Sequence, residues 1–285
     1  MKNIYEETKF LMKKYNLTAN KKLGQNFLID DEAIDKIVDS ANLTKEDLVI
    51  EIGPGLGTLT SMLLEKAGKV IAIELDDRMV KILQDRFLVY NNFELINEDV
   101  LKVNLPEIIE ANNQFKSVKV VANLPYYITT PIIMKLLENR LNIESITIMI
   151  QKEVAERIVA TPGSKLSGAI TYSVHYYAEP EEVTIVPNTS FIPSPEVDSE
   201  VIKLVIRKEP PVELKDEKLF FNIIKASFMQ RRKTLANGLV NGGILQNKTE
   251  AVEVLKNIGL EENVRGEELS LEQFAKLSNE IYLRK

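Results

Sequence analysis

The chain contains no cysteine. Disulfides, thiolate metal sites and every cysteine nucleophile are therefore excluded, including the covalent route to C5-methylated pyrimidines. Histidine is almost as scarce. His175 is the single one, set among Tyr172, Tyr176 and Tyr177, and a packing or surface role suits it better than catalysis. Hydrolytic triads and histidine-rich metal centres drop out with it, and no metal is expected. No apolar run reaches the roughly 18–20 residues that a membrane span needs. The first seventeen residues mix charges into a helical pattern and lack the apolar core of a signal peptide. A cytoplasmic location with no membrane partner is expected.

What is present is an ordinary globular composition: 45% hydrophobic and 27% charged over 285 residues, enough for one large α/β domain and a smaller one. The net charge of −6, taken alone, argues against a nucleic-acid partner. Phosphate binding follows local distribution, however. Basic residues gather at Lys21–Lys22, Arg207–Lys208 and Arg231–Arg232–Lys233, apart from the acidic stretches Glu179–Glu182 and Glu261–Glu268. At this level a solvated surface accounts for them equally well.

Strands and helices alternate through the first two-thirds, the pattern of an open parallel sheet covered by helices on both faces. Near-continuous Val/Ile runs mark strands at 47–52, 69–73, 93–96, 119–122 and 145–150. Helices are expected at 59–66, 77–87, 152–160 and 166–177, with further strands at 183–186 and 200–206. Between those last two lies Phe191-Ile192-Pro193-Ser194-Pro195, a stiff proline-rich loop. Lys208-Glu209-Pro210-Pro211 reads as a linker, and only helical periodicity follows it. The expected division is residues 1–208 for an α/β domain and 209–285 for a small all-α domain.

The segment Val49-Ile50-Glu51-Ile52-Gly53-Pro54-Gly55-Leu56-Gly57-Thr58 takes a strand into a glycine turn that opens into a helix, so that a ligand can approach bare backbone. Its G-x-G-x-G spacing, preceded by an acid, differs from the G-x-G-x-x-G of dinucleotide sites. It suits S-adenosylmethionine, which has a carboxylate and a ribose to seat but no pyrophosphate. A plain strand–helix turn also explains the glycines alone. Glu74, at the end of the second strand, can accept bonds from both ribose hydroxyls, and Asp99, after the third, from an adenine amine. Each alone reads as a solvent-facing charge; three ligands at successive strand ends are harder to assign to chance.

Asn123-Leu124-Pro125-Tyr126 ends the fourth strand. An adenine N6 amine has its lone pair delocalised into the ring and must be aimed to react. The Asn123 side-chain oxygen and a backbone carbonyl, that of Leu124, can accept its two protons and favour a tetrahedral nitrogen. Tyr126 offers a stacking face for a flipped base. Phe191 either closes the other face of that base or packs in the core, and Tyr127 reads as core or loop support.

Together these residues resemble the bacterial small-subunit rRNA adenine dimethyltransferase family over nearly the whole chain. The likeness begins at Lys22-Leu23-Gly24-Gln25-Asn26-Phe27-Leu28 and returns at Phe191–Ser199 and at Ser227–Leu235, the latter matching a C-terminal helix. The resemblance implies a Rossmann-like class I methyltransferase sheet. It also implies that Gln25, Asn26 and Leu28 close over S-adenosylmethionine, with the remaining cofactor positions on Gly53, Glu74, Asp99 and Asn123; Gly55 of the same turn is a further cofactor candidate. Catalytic positions would be Asn123, Leu124, Pro125, Tyr126 and Phe191. The reaction implied is dimethylation of N6 on two adjacent adenines near the 3′ end of 16S rRNA, within the assembling 30S subunit, releasing S-adenosylhomocysteine. Arg231, Arg232 and Lys233, expected on one helix, would meet RNA phosphates, and the protein would act as a monomer. Competing readings are an antibiotic-resistance methyltransferase acting on 23S rRNA, a non-catalytic RNA- or DNA-binding relative, and, more remotely, a dinucleotide-dependent reductase.

Overall fold

The computed structural model describes residues 3–20, 23–230 and 232–284. Two compact units are formed, Met1–Ala155 with Glu181–Ile206, and Glu156–Pro180 with Arg207–Lys285.

The first unit is built on a seven-stranded sheet. Strands β2 (Asp47–Ile52), β3 (Lys69–Glu74), β4 (Phe93–Asn97), β5 (Ser117–Asn123) and β6 (Ser145–Gln151) are joined by helices α3 (Thr58–Lys66), α4 (Asp77–Phe87), α5 (Leu105–Ala111) and α6 (Thr129–Glu138). In β2, all six residues are buried, because helices cover both faces and leave no solvent side to alternate towards. Helix α4 buries Met79, Val80, Leu83 and Phe87, the 3- and 4-residue spacing of a stripe facing a core.

Strand order is β4-β3-β2-β5-β6-β9-β7, with β7 (Ala178–Val186) and β9 (Ser199–Ile206) at one side. The chain steps outward from β2 through β3 to β4, then restarts beside β2 with β5. The switch lies between β2 and β5, and a crevice opens there at the carboxyl ends of the strands. The expectation of a parallel sheet holds for β2–β6 and needs one correction. β9 runs antiparallel to β6, pairing Ser145 with Val205 and Gln151 with Ser199. The proline-rich loop delivers the chain to the end of the sheet at which β6 stops, so β9 must run back along it.

Two short strands, β1 (Phe27–Leu28) and β8 (Phe191–Ile192), form a separate ladder that sets Phe27 against Ile192 and Leu28 against Phe191. Ahead of β1 lies helix α1 (Ile4–Lys14), after it α2 (Asp31–Ser40), and after β6 comes α7 (Lys152–Val159).

The second unit is helical: α8 (Ala169–Tyr177), α9 (Glu217–Phe228), α10 (Leu235–Asn241), α11 (Lys248–Asn257) and α12 (Leu271–Tyr282). Its division differs from a single cut after residue 208, since residues 156–180 belong with the C-terminal helices. Aromatic packing is the reason. Tyr172 and Tyr176 share a core with Phe220 and Phe274, and the Tyr172 hydroxyl donates to the Leu269 carbonyl at 2.7 Å. Helix α8 begins three residues later than periodicity predicts, where Gly168 N–H donates to Thr171 Oγ1 at 2.9 Å. His175 is half-buried in this unit, and burial, then the Arg207 charge, holds its pKa below the ordinary value.

Candidate active site

At the sheet's switch point the first unit holds a cavity that opens to solvent. Its floor is the turn after β2. Gly53, Gly55 and Gly57 all have positive φ, at 67°, 57° and 80°. Gly57 cannot be replaced for a second reason: a Cβ there would lie 2.6 Å from the Phe87 ring. The turn is braced by Gly53 N–H donating to Ile73 O at 3.0 Å and Gly57 N–H to Pro54 O at 2.9 Å.

Two carboxyl groups line this cavity beneath and beside the turn. Glu51 is buried within β2, and its Oε2 has no hydrogen-bond partner. Burial pushes its carboxyl up to about 8, the nearby Glu74 charge adds to the rise, and the Thr60 hydroxyl opposes it. Glu74 ends β3 and accepts Gly55 N–H at 3.2 Å and Asp76 N–H at 2.8 Å. Its carboxyl also sits above the ordinary value because it is buried, against the pull of those N–H groups.

Asp99 is half-exposed just beyond β4 and lines the same cavity. Its carboxylate accepts Leu101 N–H at 2.9 Å, and Lys135 fixes the following turn by donating to the carbonyls of Leu101 and Val103 at 2.8 and 2.7 Å. Asn123, at the end of β5, donates from Nδ2 to the Asn26 carbonyl at 3.5 Å. Its Oδ1 is thereby the end available to an amine proton. Leu124 is buried and spends its N–H on Met149 O at 3.1 Å, which pins the Asn-Leu-Pro-Tyr segment to β6. Tyr126 is half-buried, its hydroxyl 2.7 Å from Ser199 Oγ, so the ring is held at both ends.

Gln25, Asn26 and Leu28 line the cavity as well. Gln25 turns its amide away to Asp76, donating to Oδ2 at 2.8 Å. Phe191 packs in the main core, only 4% exposed, and also borders the cavity beside Leu28. No ring contact joins it to Tyr126 among the described residues. Tyr127 is 58% exposed and lies against Gly24, 3.3 Å from where a Cβ would stand, which makes it support for the loop and not part of the core. Leu75, which belongs to no sequence motif, is an exposed apolar side chain on the cavity wall immediately after Glu74.

A model of the family described as "Ribosomal RNA adenine dimethylase" matches residues 16–282. The chain belongs to the ribosomal RNA adenine dimethylase family. Among its relatives, the protein named ribosomal RNA small subunit methyltransferase A from Lachnoclostridium phytofermentans is 49% identical over 278 residues, 97% of this chain and 96% of that one. Its namesake from Bacillus pumilus is 50% identical over 275 residues, 95% and 94% of the two chains. Among solved structures, a dimethyladenosine transferase from Plasmodium falciparum superposes with a TM-score of 0.73 at 29% identity, covering 88% of this chain and 95% of that one. The 23S rRNA methyltransferase ErmE gives 0.69 at 26%, covering 90% and 100%.

The basic residues of this dimethylase-family chain need a correction. Arg232 and Lys233 are exposed, but they occupy the turn between α9 and α10 and not a helix. Helix α9 stops at Phe228, Lys233 N–H closes the turn on Gln230 O at 2.8 Å, and Thr234 is already extended as the cap of α10. Arg231 and the Lys21–Lys22 pair lie outside the described residues. Arg207 is paired with Glu179 at 2.6 Å. Among the described residues, no group of three His, Asp or Glu side chains is placed to hold a metal, and no helix is long and apolar enough to cross a membrane.

Proposed function

We propose that this chain transfers methyl groups from S-adenosylmethionine to adenine N6 in 16S rRNA. The product is dimethylated at two adjacent adenines of a hairpin loop near the 3′ end, and the protein acts as a monomer on the assembling 30S subunit in the cytoplasm. One observation carries the reading. The Asn123–Tyr126 segment and Glu74 converge on a single cavity over the glycine turn.

The residues fit the cofactor on the structure's own terms. Glu51 Oε2 is a buried, unpartnered polar atom at the cavity wall, and the turn presents backbone that no Cβ covers. Gly53 and Gly55 would bear the amino-acid portion, Glu74 the ribose hydroxyls, and Asp99 the adenine amine, with Leu75 against the ring. When bound there, S-adenosylmethionine supplies an electrophilic methyl on a sulfonium.

The chain's own part is to aim the nucleophile. Asn123 Oδ1 and the Leu124 carbonyl accept the two N6 protons and turn the nitrogen lone pair outward. Tyr126, fixed by Ser199, stacks under the base, worth about 1–3 kcal/mol. No strong base is needed, because a methylated ammonium is acidic enough to lose its proton to water. Scarcity of histidine is no obstacle to this chemistry.

Purified protein with labelled S-adenosylmethionine should methylate under-methylated 30S particles and leave 50S particles nearly unlabelled. Preference for 50S would instead assign it to the 23S-directed branch that ErmE represents.

A further inference from the structure

Residues 23–28 line the cavity and are held at several places, among them Asn26 O, which accepts from Asn123 Nδ2 at 3.5 Å, and Gly24, which lies against Tyr127. Downstream, β1 pairs with β8, and Ile29 N–H adds a bond to Ser190 O at 2.9 Å. Upstream, Gln25 and the Thr18 carbonyl are gripped by two side chains of the β3–α4 junction, Asp76 and Arg78. Asp76 Oδ2 accepts Gln25 Nε2 at 2.8 Å and Arg78 Nη2 at 2.6 Å. Arg78 Nη1 reaches the Thr18 carbonyl at 3.2 Å, and Nη2 reaches Gln25 Oε1 at 3.4 Å. That same Gln25 oxygen accepts Asn20 N–H at 2.8 Å, while Gln25 N–H returns to Asn20 O at 3.3 Å. Both ends of the Gln25 amide are therefore engaged.

Neither Asp76 nor Arg78 lines the cavity. Asp76 nonetheless communicates with it, since its N–H donates to Glu74 Oε1 at 2.8 Å. Asp76 has a further duty as cap of α4, accepting Arg78 N–H at 3.0 Å. Its side chain is 7% exposed and that of Arg78 is 43%, so the pair sits where a planar, forked cation can reach a carboxylate, an amide and a carbonyl together. Lysine cannot reproduce that reach.

We propose that Asp76 and Arg78 are positioning residues that latch Gln25, and with it the 23–28 strap, over the cofactor cavity, so that cofactor residence time depends on two side chains that do not line that cavity. The proposal rests on the function proposed above for the occupant of that cavity. With the latch intact, Gln25 and the residues that follow it are already held before binding, and less conformational freedom is lost when the cavity fills. With the latch open at Gln25, the cofactor leaves faster, while Asn26, which accepts from Asn123 Nδ2, stays held beside the β1–β8 ladder, so that the aiming of N6 is kept.

The test compares wild type with Asp76→Asn, Arg78→Met and Arg78→Lys. Asparagine still caps a helix, so Asp76→Asn breaks the charge pairing and leaves α4 intact. Two quantities are read: the dissociation rate of labelled S-adenosylhomocysteine, and amide hydrogen exchange in cofactor-free protein. We expect all three variants to release the ligand about tenfold faster, with exchange accelerated at Asn20 and Gln25 and unchanged in β2 and β3. At saturating cofactor, kcat should stay within twofold of wild type. Dissociation within twofold of wild type overturns the proposal, as does unaltered exchange at Asn20 and Gln25. A fall in Tm with unchanged release would mean the pair only supports α4, and also overturns it. Should wild type fail to bind S-adenosylhomocysteine at all, the cofactor assignment falls, and the exchange measurement still decides the latch.

Discussion

Glu51 and Asn123 mark two different uses of a strand end. Asn123 is a neutral acceptor whose contribution is aim. Asn123→Ala should lower kcat by about 100-fold or more, the scale seen when one oriented polar group is removed from a reaction centre. Single-turnover methylation measures it, and RNA binding should be largely spared. Turnover near wild type would show that N6 is held by something else. Glu51 is a buried carboxyl raised to about 8 from an ordinary 4.5. The unfolded chain ionises it above pH 4.5, while the folded chain keeps the proton to about 8, so the folded state binds more protons across that window. Stability then falls as pH rises through it, by up to about 1.4 kcal/mol per pH unit. Glu51→Gln removes the titration. Urea melts of the cofactor-free pair should show the variant gaining on wild type from about pH 5 to 8 and then holding level; a gap independent of pH would mean that Glu51 is ionised at neutral pH.

Helix α1 is tied to the glycine turn through one guanidinium. Arg86, on α4 and only 12% exposed in its side chain, pairs with Glu7 of α1 and donates to the Leu56 carbonyl and to Ser61 Oγ. Burial lowers its pKa and the Glu7 charge opposes that. Arg86→Met keeps the packed stem and removes the donors. The expected cost is about 2–4 kcal/mol, since bonds to charged groups are worth roughly 1.5–3 kcal/mol each and do not add fully. Chemical denaturation reads it, and a loss under about 0.5 kcal/mol, the size of an ordinary surface substitution, would show that α1 is held by its apolar face alone. The β1–β8 ladder is the other element-level device. It brings Leu28 beside Phe191 and so joins two motifs that lie far apart along the chain.

Over the whole molecule, a net charge of −6 has to coexist with a polyanionic substrate. Attraction must then come from local clusters. Replacing Arg231, Arg232 and Lys233 together by alanine should weaken RNA binding and flatten its salt dependence, by roughly one unit of slope for each phosphate that is no longer neutralised. Filter binding between about 50 and 200 mM salt measures this. An unchanged slope removes that turn from the RNA interface. Because Arg232 and Lys233 sit on a turn and not along a helix, their placement is set by the turn that Lys233 N–H closes on Gln230 O.

The glycine turn, Glu74, Asp99 and the Asn-Leu-Pro-Tyr segment were legible from the chain alone. Strand periodicity places each at a strand's carboxyl end, and chemistry at such ends is local to a few residues. The five parallel strands were legible too, since burial on both faces leaves unbroken Val/Ile runs. What no local pattern carries is partnership between distant segments. The reversal of β9, the ladder of β1 on β8, the inclusion of 156–180 with the C-terminal helices and the grip of Asp76 and Arg78 on Gln25 all depend on which surfaces meet. An amide, a ring or a carboxylate has the same letter whether it faces a ligand, a core or another loop, and only tertiary packing chooses among those neighbours.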